Sequence, residues 1–287
     1  MRPSFNKKEI TFVICFCRYL TEKNKLNKNL PISSMKIIEV EYANTKLKIA
    51  ADFRRGKEDS LVFIHGLGCS KDAFLHAFNF SFFNDFSILT FDLVGFGDST
   101  KAEEFSYSIE DHAEVCKLVI DKLSLNNIHI VGHSMGGAVA LLLIEKLRQR
   151  VKSFISLEGN LVGEDCYISR KAAEVSFDEF KSIFEKIKEN NKNSPWYNML
   201  CKTMPLAFYK SSCSLVEYSD SNELLRKFLE LKIKKAYIFG EKNAKMPVLE
   251  KIEDKVKVFS ISKSGHFMML DNPEEFYRKL FEIIVLN

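Results

Sequence analysis

One stretch of sequence indicates the fold: residues 128–147 read IHIVGHSMGGAVALLLIEKL. An apolar run at residues 128–131 leads into Gly-His-Ser-Met-Gly-Gly, and a strongly helical run follows. A strand that turns sharply into a helix at G-x-S-x-G holds the serine hydroxyl clear of the sheet edge. Gly132 and Gly136 remove side chains that would collide across such a turn, and Gly137 permits close packing of the following helix. We therefore predict that Ser134 is a nucleophile.

Short apolar runs that end at loops recur on both sides of this stretch, and such runs are typical of strands buried on both faces. They are residues 61–64, 86–93, 128–131, 154–157, 236–239 and 256–261. Helical patterns alternate with them, and two alternating runs at 36–42 and 46–53 indicate a β-hairpin. The sequence therefore predicts an α/β fold, with a mostly parallel central sheet flanked by helices.

One long segment interrupts this alternation. Residues 164–239 contain no glycine, and they include amphipathic stretches at 177–187 and 224–231. We interpret residues 161–232 as a helical cap inserted into a core made of residues 35–160 and 233–287. Residues 1–34 remain as an N-terminal extension.

The composition excludes several classes of protein. With 46% hydrophobic and 28% charged residues the chain is globular rather than disordered. A net charge of +4, spread along the chain, gives no field that favours nucleic acid. The seven cysteines are odd in number and form no C-x-x-C pair, which favours free thiols in a reducing, cytoplasmic compartment. No metal site is expected, because Cys15 and Cys17 have no second pair of ligands nearby.

The N-terminal extension holds one apolar run, ITFVICFC at residues 10–17. It is too short to span a bilayer, so we expect no stable membrane insertion. An exported or membrane-associated protein is the alternative to the cytoplasmic one. The oligomeric state is not predicted.

A serine nucleophile needs a base and donors for the negative charge that develops on the acyl oxygen. His266, in Ser-Gly-His-Phe directly after the last predicted strand, is the best candidate base. We expect His133, beside the nucleophile, to point away from it. The predicted oxyanion donors are the backbone N–H groups of Met135 and of Leu67, in His65-Gly66-Leu67-Gly68. We expect His65 to brace that loop rather than to transfer protons.

With these pieces in place, the sequence resembles the α/β-hydrolase superfamily. The matching segments are HGLG (65–68), FDLVGFGDS (91–99), GHSMGG (132–137) and SGHFMMLDNPEEF (264–276). The resemblance implies the α/β-hydrolase fold and, because the nucleophile is serine, acyl-hydrolase chemistry of the esterase or lipase kind. It also implies that Asp92, Gly95, Gly97 and Ser99 shape a loop beside the site.

The acid of the expected triad departs from the common pattern of that superfamily. Members often place an aspartate in G-x-x-D after the penultimate strand, but here the segment is Gly240-Glu-Lys-Asn243. Some branches carry the acid after the strand that follows the nucleophile helix, where this chain has Glu158 beside Gly159. Glu158 is our favoured acid, and Glu241, Asp165 or no functional acid are the alternatives.

The leading functional hypothesis is a serine hydrolase that cleaves a carboxylic ester of a small to medium apolar substrate through an acyl-enzyme. Ser134, His266 and Glu158 form its triad, the N–H groups of Leu67 and Met135 hold the oxyanion, and no cofactor is needed. The alternatives are an amide, thioester or carbon–carbon bond hydrolase with the same triad, or a ligand-binding protein that has lost turnover.

Overall fold

The computed structural model describes residues 34–57 and 59–286. The apolar run at residues 10–17, Cys15 and Cys17, and the rest of the predicted extension up to residue 33 lie outside the described residues. Within the described ranges, no helix combines the length and the apolar character that crossing a bilayer requires.

An eight-stranded sheet forms the centre of the described structure, in the order β1-β2-β4-β3-β5-β6-β7-β8. Its strands are β1 (Ser34–Tyr42), β2 (Thr45–Arg54), β3 (Ser60–Ile64), β4 (Ser87–Phe91), β5 (Ile128–His133), β6 (Val151–Leu157), β7 (Lys234–Gly240) and β8 (Lys257–Ile261). β1 pairs antiparallel with β2, and β2 with β4, whereas every other pair is parallel. The carboxyl ends of β3 to β8 therefore meet at one edge of the sheet.

Helices flank the sheet and connect its parallel strands. They are α1 (Ile109–Lys122), α2 (Met135–Leu147), α3 (Tyr167–Ala173), α4 (Phe177–Asn190), α5 (Tyr197–Cys201), α6 (Pro205–Asp220), α7 (Glu223–Glu230), α8 (Pro247–Ile252), α9 (Met268–Asp271) and α10 (Pro273–Leu286). Ser108 caps α1, because its hydroxyl accepts the N–H of Asp111 at 3.1 Å. This mostly parallel α/β architecture confirms the predicted fold class.

The central strands are buried along their whole length, as their continuous apolar runs predicted. Every residue of β3, β4 and β5 is buried. Parallel strands covered by helices on both faces have no solvent side, so their sequences do not alternate between apolar and polar residues. Burial on both faces also keeps these strand ends, and the loops that follow them, in fixed positions.

The helices α3 to α7 all lie between β6 and β7, and we call this segment, residues 161–232, the insertion. Its own core is aromatic, with the ring of Phe208 5.5 Å from that of Phe180 and 5.3 Å from that of Phe184. Polar contacts join the insertion to the sheet domain. The N–H of Met204 donates to the carbonyl of Gly95 at 2.9 Å, and Ser211 Oγ lies 3.1 Å from His112 Nε2.

Candidate active site

A sharp turn between β5 and α2 carries Ser134. Its φ is +52° and its ψ −123°, in the sparsely populated region that marks strained residues at functional sites. The turn requires glycine on both sides: a Cβ on Gly136 would lie 2.3 Å from the carbonyl oxygen of Ile64, and one on Gly132 would lie 2.6 Å from that of Gly136. The sequence thus folds locally so that one serine stands above the sheet edge.

The hydroxyl of Ser134 meets a residue that sequence reasoning missed. Ser134 Oγ donates to Asn160 Oδ1 at 3.2 Å, and Asn160 Nδ2 in turn donates to the backbone carbonyl of Asp165 at 2.8 Å. Among the described residues, no hydrogen bond joins Ser134 to His266. Asn160 lies two residues after Glu158 at the same strand end, and that position was the only sequence signal for it.

His266 lies in the loop between β8 and α9, and its ring is held by a carboxylate. His266 Nδ1 donates to Glu158 Oε2 at 2.6 Å. Glu158 follows the end of β6, and only 2% of its surface is exposed. This contact fixes the tautomer of His266, so that Nε2 is the nitrogen left to accept a proton.

The Glu158 carboxylate accepts further hydrogen bonds. The N–H of Gly240 donates to Oε1 at 2.8 Å, and Asn243 Nδ2 lies 2.9 Å from both carboxylate oxygens. Burial by itself would raise the pKa of Glu158, but the hydrogen bond and charge of His266, with those two donors, bring the pKa below its usual value. The carboxylate is therefore held in its ionised form.

The backbone at Glu158 is also strained. Its φ is +42°, a left-handed conformation that residues other than glycine seldom adopt. The N–H of Glu158 donates to the carbonyl of Ile238 at 3.0 Å, so neighbouring β7 fixes the turn. Ser134 and Glu158 thus share one property, a positive φ directly after a parallel strand.

His133 does not point away from the nucleophile as expected. Its ring centroid lies 4.5 Å from that of His266, and its Nε2 donates to the backbone carbonyl of His266 at 2.9 Å. Burial, with the nearby His266, lowers the pKa of His133 well below its usual value, so the ring is neutral. His133 is the last residue of β5 (Ile128–His133), so its ring lies at the sheet edge beside the loop that carries His266.

The two predicted oxyanion donors lie near this turn. Met135 is the first residue of α2, where a backbone N–H has no partner within the helix. Leu67 follows β3 and lines the same cavity as Ser134. In the described hydrogen bonds, neither of these N–H groups is used by another protein atom.

His65 braces the Leu67 loop, as predicted. Its Nε2 accepts the N–H of Leu93 at 3.0 Å, so its Nδ1 carries the proton and donates to the carbonyl of Gly66 at 2.8 Å. Burial lowers the pKa of His65 to about 4. A ring that is neutral and bonded at both nitrogens is suited to fixing a loop rather than to moving protons.

The loop after β4 is shaped around Asp92. Its carboxylate accepts the N–H of Lys71 at 2.6 Å and that of Asp98 at 2.8 Å, and burial raises its pKa to about 6. A Cβ on Gly97, whose φ is +52°, would lie 2.2 Å from that carboxylate. Ser99 Oγ donates to the carbonyl of Asp92 at 2.7 Å. These contacts agree with the loop-shaping role that the resemblance implied.

A cavity of about 460 Å³ opens beside Ser134 and His266. Both the sheet edge and the insertion contribute to its wall. Its apolar part consists of Leu67, Cys69, Ile168, Trp196 and Phe267, and its polar part includes Asn160, Asp165, Ser169, Asn191 and Asn243. The described residues contain no group of three or more His, Cys, Asp or Glu side chains that could hold a metal ion.

The two alternative acids have different surroundings. Glu241 is exposed, and its carboxylate accepts the N–H of Lys263 at 2.7 Å. Asp165 is half-buried: it lines the cavity, and burial raises its pKa to about 6. The described hydrogen bonds join neither carboxylate to His266.

Comparisons with known proteins point to one fold. A family model described as alpha/beta hydrolase fold matches residues 59–200. The chain is 32% identical to a putative esterase/lipase 2 of Mycoplasma pneumoniae over 100 residues, which cover 34% of this chain and 37% of that protein. It is 30% identical to the probable lysophospholipase BODYGUARD 2 of Arabidopsis thaliana over 172 residues, 56% of this chain and 35% of that one. The aligned part thus spans about a third of the length of these two relatives.

The fold also resembles solved structures along most of the chain. A thermophilic esterase from Thermogutta terrifontis superposes with a TM-score of 0.71 at 20% identity, covering 88% of this chain and 98% of that one. At 20% identity this similarity supports the fold alone. Together with the strand order and the matched family model, it shows that the chain has the α/β-hydrolase fold.

Proposed function

We propose that this chain is a serine hydrolase that cleaves a carboxylic ester of small to medium size. One observation carries the proposal: Ser134, on a strained turn, shares a cavity with His266, whose Nδ1 lies 2.6 Å from the buried carboxylate of Glu158. A nucleophile, a base and an acid that orients the base are the three groups that acyl transfer requires.

In the proposed reaction, Ser134 Oγ attacks the ester carbonyl while His266 Nε2 takes its proton. The hydroxyl first turns from Asn160 Oδ1 towards His266. The tetrahedral intermediate collapses to an acyl-enzyme, and the imidazolium gives its proton to the departing alkoxide. Water then attacks the acyl group by the same route, which releases the acid and restores the serine.

The positive charge on His266 and the negative charge on the acyl oxygen would both be stabilised by groups that are already in place. Glu158 stabilises the imidazolium form of His266 and keeps its ring in one tautomer. The N–H groups of Leu67 and Met135 would hold the oxyanion. These steps use only side chains and backbone groups of the chain, and they call for no metal ion or organic cofactor.

The cavity supports a substrate of modest size. Its volume of about 460 Å³ lies in the lower half of the range of about 300–1,000 Å³ that small-molecule sites occupy. Apolar side chains such as Leu67 and Trp196 suit an acyl chain. The names of the relatives, esterase/lipase and lysophospholipase, support an ester rather than an amide, thioester or carbon–carbon bond.

The proposed partner is thus a small acyl substrate, and the proposed compartment is the cytoplasm. An odd number of cysteines without a C-x-x-C pair supports a reducing environment. Of these, the five in the described part of the chain are free thiols. A net charge of +4 gives no reason to propose nucleic acid as a partner.

One observation favours a second candidate, a ligand-binding protein without turnover. The hydroxyl of Ser134 is bonded to Asn160, 3.2 Å away, and not to His266. In free enzymes, however, catalytic hydrogen bonds are often long or poorly aligned and tighten only when substrate binds. We therefore treat this candidate as one outcome of the test.

The test is covalent labelling by a fluorophosphonate probe, followed by a series of p-nitrophenyl esters of increasing chain length. We expect the folded protein to be labelled and the Ser134→Ala variant not to be. Ser221→Ala, at an exposed serine between α6 and α7, serves as the matched control and is labelled like the parent. Absence of labelling in the folded parent protein would reject the hydrolase and leave the ligand-binding candidate.

A further inference from the structure

Asn243 occupies the position where the common triad acid of the superfamily is expected. By sequence alone this departure indicates a damaged site or an acid from elsewhere. The structure gives the residue a specific set of contacts. Its Nδ2 lies 2.9 Å from Oε1 and 2.9 Å from Oε2 of Glu158.

These contacts complete the enclosure of the Glu158 carboxylate. Oε1 also accepts the N–H of Gly240 at 2.8 Å, and Oε2 accepts His266 Nδ1 at 2.6 Å. Among the described residues, Asn243 is the one group that donates to both oxygens. It therefore fixes the rotation of the carboxylate about its terminal bond, which decides whether an oxygen lone pair faces His266.

An amide and a carboxylate at position 243 would have opposite effects. The amide offers N–H groups to the two oxygens of Glu158, which favours the ionised carboxylate. An aspartate has nearly the same shape, but it would place an oxygen where Nδ2 now lies, close to both of those oxygens. Two carboxylates in such contact cannot both ionise, so they share a proton.

We propose that Asn243 is a positioning residue that holds Glu158 in the ionised form and in the rotation that meets His266, so that aspartate at this position impairs the site instead of restoring it. This inference rests on the proposed hydrolase function. It makes the acid after β6 and the amide after β7 a linked pair, in which one residue requires the other.

The test compares Asn243→Asp and Asn243→Ala by the pH dependence of kcat and KM with a p-nitrophenyl ester that the parent protein hydrolyses. Losing a hydrogen bond to a charged group lowers kcat of Asn243→Ala by about 10- to 100-fold, with KM changed less than about twofold. At pH 8 the aspartate variant is slower still. It regains activity relative to the alanine variant as the pH falls, because the introduced carboxyl group, once protonated, again donates to Glu158.

The chain offers a matched control in Asn272. Its Nδ2 donates to Glu275 Oε2 at 2.8 Å, an amide-to-carboxylate contact that involves neither Glu158 nor His266. Asn272→Asp is therefore expected to keep the shape of the parent pH profile. A purely structural role of Asn243 predicts the reverse order of the two variants, since aspartate preserves its shape better than alanine does.

A second measurement does not depend on turnover. In folded Asn243→Asp the shared proton is bound more tightly than in the unfolded chain, so stability is present at low pH and is lost as the pH rises through the raised pKa of the pair. As the pH is raised from about 5 to 8, we expect the denaturation midpoint of Asn243→Asp to decrease relative to that of the parent protein. The midpoint of Asn243→Ala should show no such decrease.

Two results overturn the inference. The first is an Asn243→Asp variant that at pH 8 is as active as the parent, or more active than Asn243→Ala. The second is a difference in stability between Asn243→Asp and the parent that does not change with pH. If the parent protein is neither labelled nor active, the proposed function fails, and the stability measurement still decides whether Asn243 controls the charge of Glu158.

Discussion

Replacing Glu158 by glutamine removes the charge of the proposed acid while keeping its shape. In the folded protein Oε1 accepts from Gly240 and Asn243, and Oε2 accepts from His266 and Asn243. A glutamine has one oxygen and one NH₂ group. Whichever position the NH₂ takes, it faces a donor.

The size of the effect follows from those contacts. With the NH₂ towards His266, Nδ1 must accept, the proton moves to Nε2, and that nitrogen can no longer take the proton of Ser134. With the NH₂ towards Gly240, a buried N–H is left unpaired. Losing one charge-assisted bond and leaving one donor unsatisfied amounts to about 3–6 kcal/mol, or roughly 10²- to 10⁴-fold in kcat.

The assay is the initial rate of p-nitrophenyl ester hydrolysis, normalised to the folded fraction. Glu241→Gln is the matched control, because Glu241 is an exposed carboxylate on the neighbouring loop. We expect that variant to stay within about twofold of the parent, as most exposed substitutions do. A Glu158→Gln variant within about tenfold of the parent, or an equal loss in Glu241→Gln, would refute the assignment of the acid.

Two further predictions concern the scaffold. Gly136→Ala places a methyl group 2.3 Å from the carbonyl oxygen of Ile64. It should lower the free energy of unfolding, measured by urea denaturation, by about 1–3 kcal/mol. Gly265→Ala is the control and should not lower it, because the nearest contact of its methyl group would be 3.8 Å away. Burial, with nearby His65, lowers the pKa of His112 to about 3, so its stabilising contribution is full above about pH 6.5 and declines as the pH falls. His112→Asn should therefore reduce the acid-side slope of stability by about 1.4 kcal/mol per pH unit, and parallel pH curves for the two proteins would contradict this.

Much of the fold was predictable because each strand is a short apolar run that ends at a loop. β3, β5 and β6 appear in the structure within a few residues of the predicted bounds. Buried parallel strands have strong composition signals, and the glycines beside Ser134 mark a turn that few other residues allow. The position of a strand end fixes the sheet edge at which its loop lies. Sequence order therefore predicted that Ser134, Glu158 and His266 lie close together, and in the structure His266 contacts Glu158 and shares a cavity with Ser134.

The partners of these residues could not be predicted in the same way. Asn160 and Asn243 act through amide groups that have no spacing rule, and only the three-dimensional approach of the ends of β6 and β7 brings Asn243 to Glu158. The burial of Asp165 depends on how the insertion folds over it. Among the aromatic and sulfur-containing residues of the insertion, Trp196 lines the cavity, whereas Met199 and Phe208 are buried in packing.

The insertion begins at residue 161, directly after the end of β6 that carries Glu158. The proposed acid and the start of the insertion, which forms part of the cavity wall, are therefore nearly consecutive in the chain. Asn160, two residues on, accepts from the hydroxyl of Ser134 and donates to the backbone carbonyl of Asp165. Asn160 therefore links the start of the insertion to Ser134 through two hydrogen bonds. For protein engineering, a corresponding segment from a protein of the α/β-hydrolase fold should be joined after residue 160 rather than at the strand end, because residues 158–160 include the proposed acid Glu158 and Asn160, the hydrogen-bond partner of Ser134.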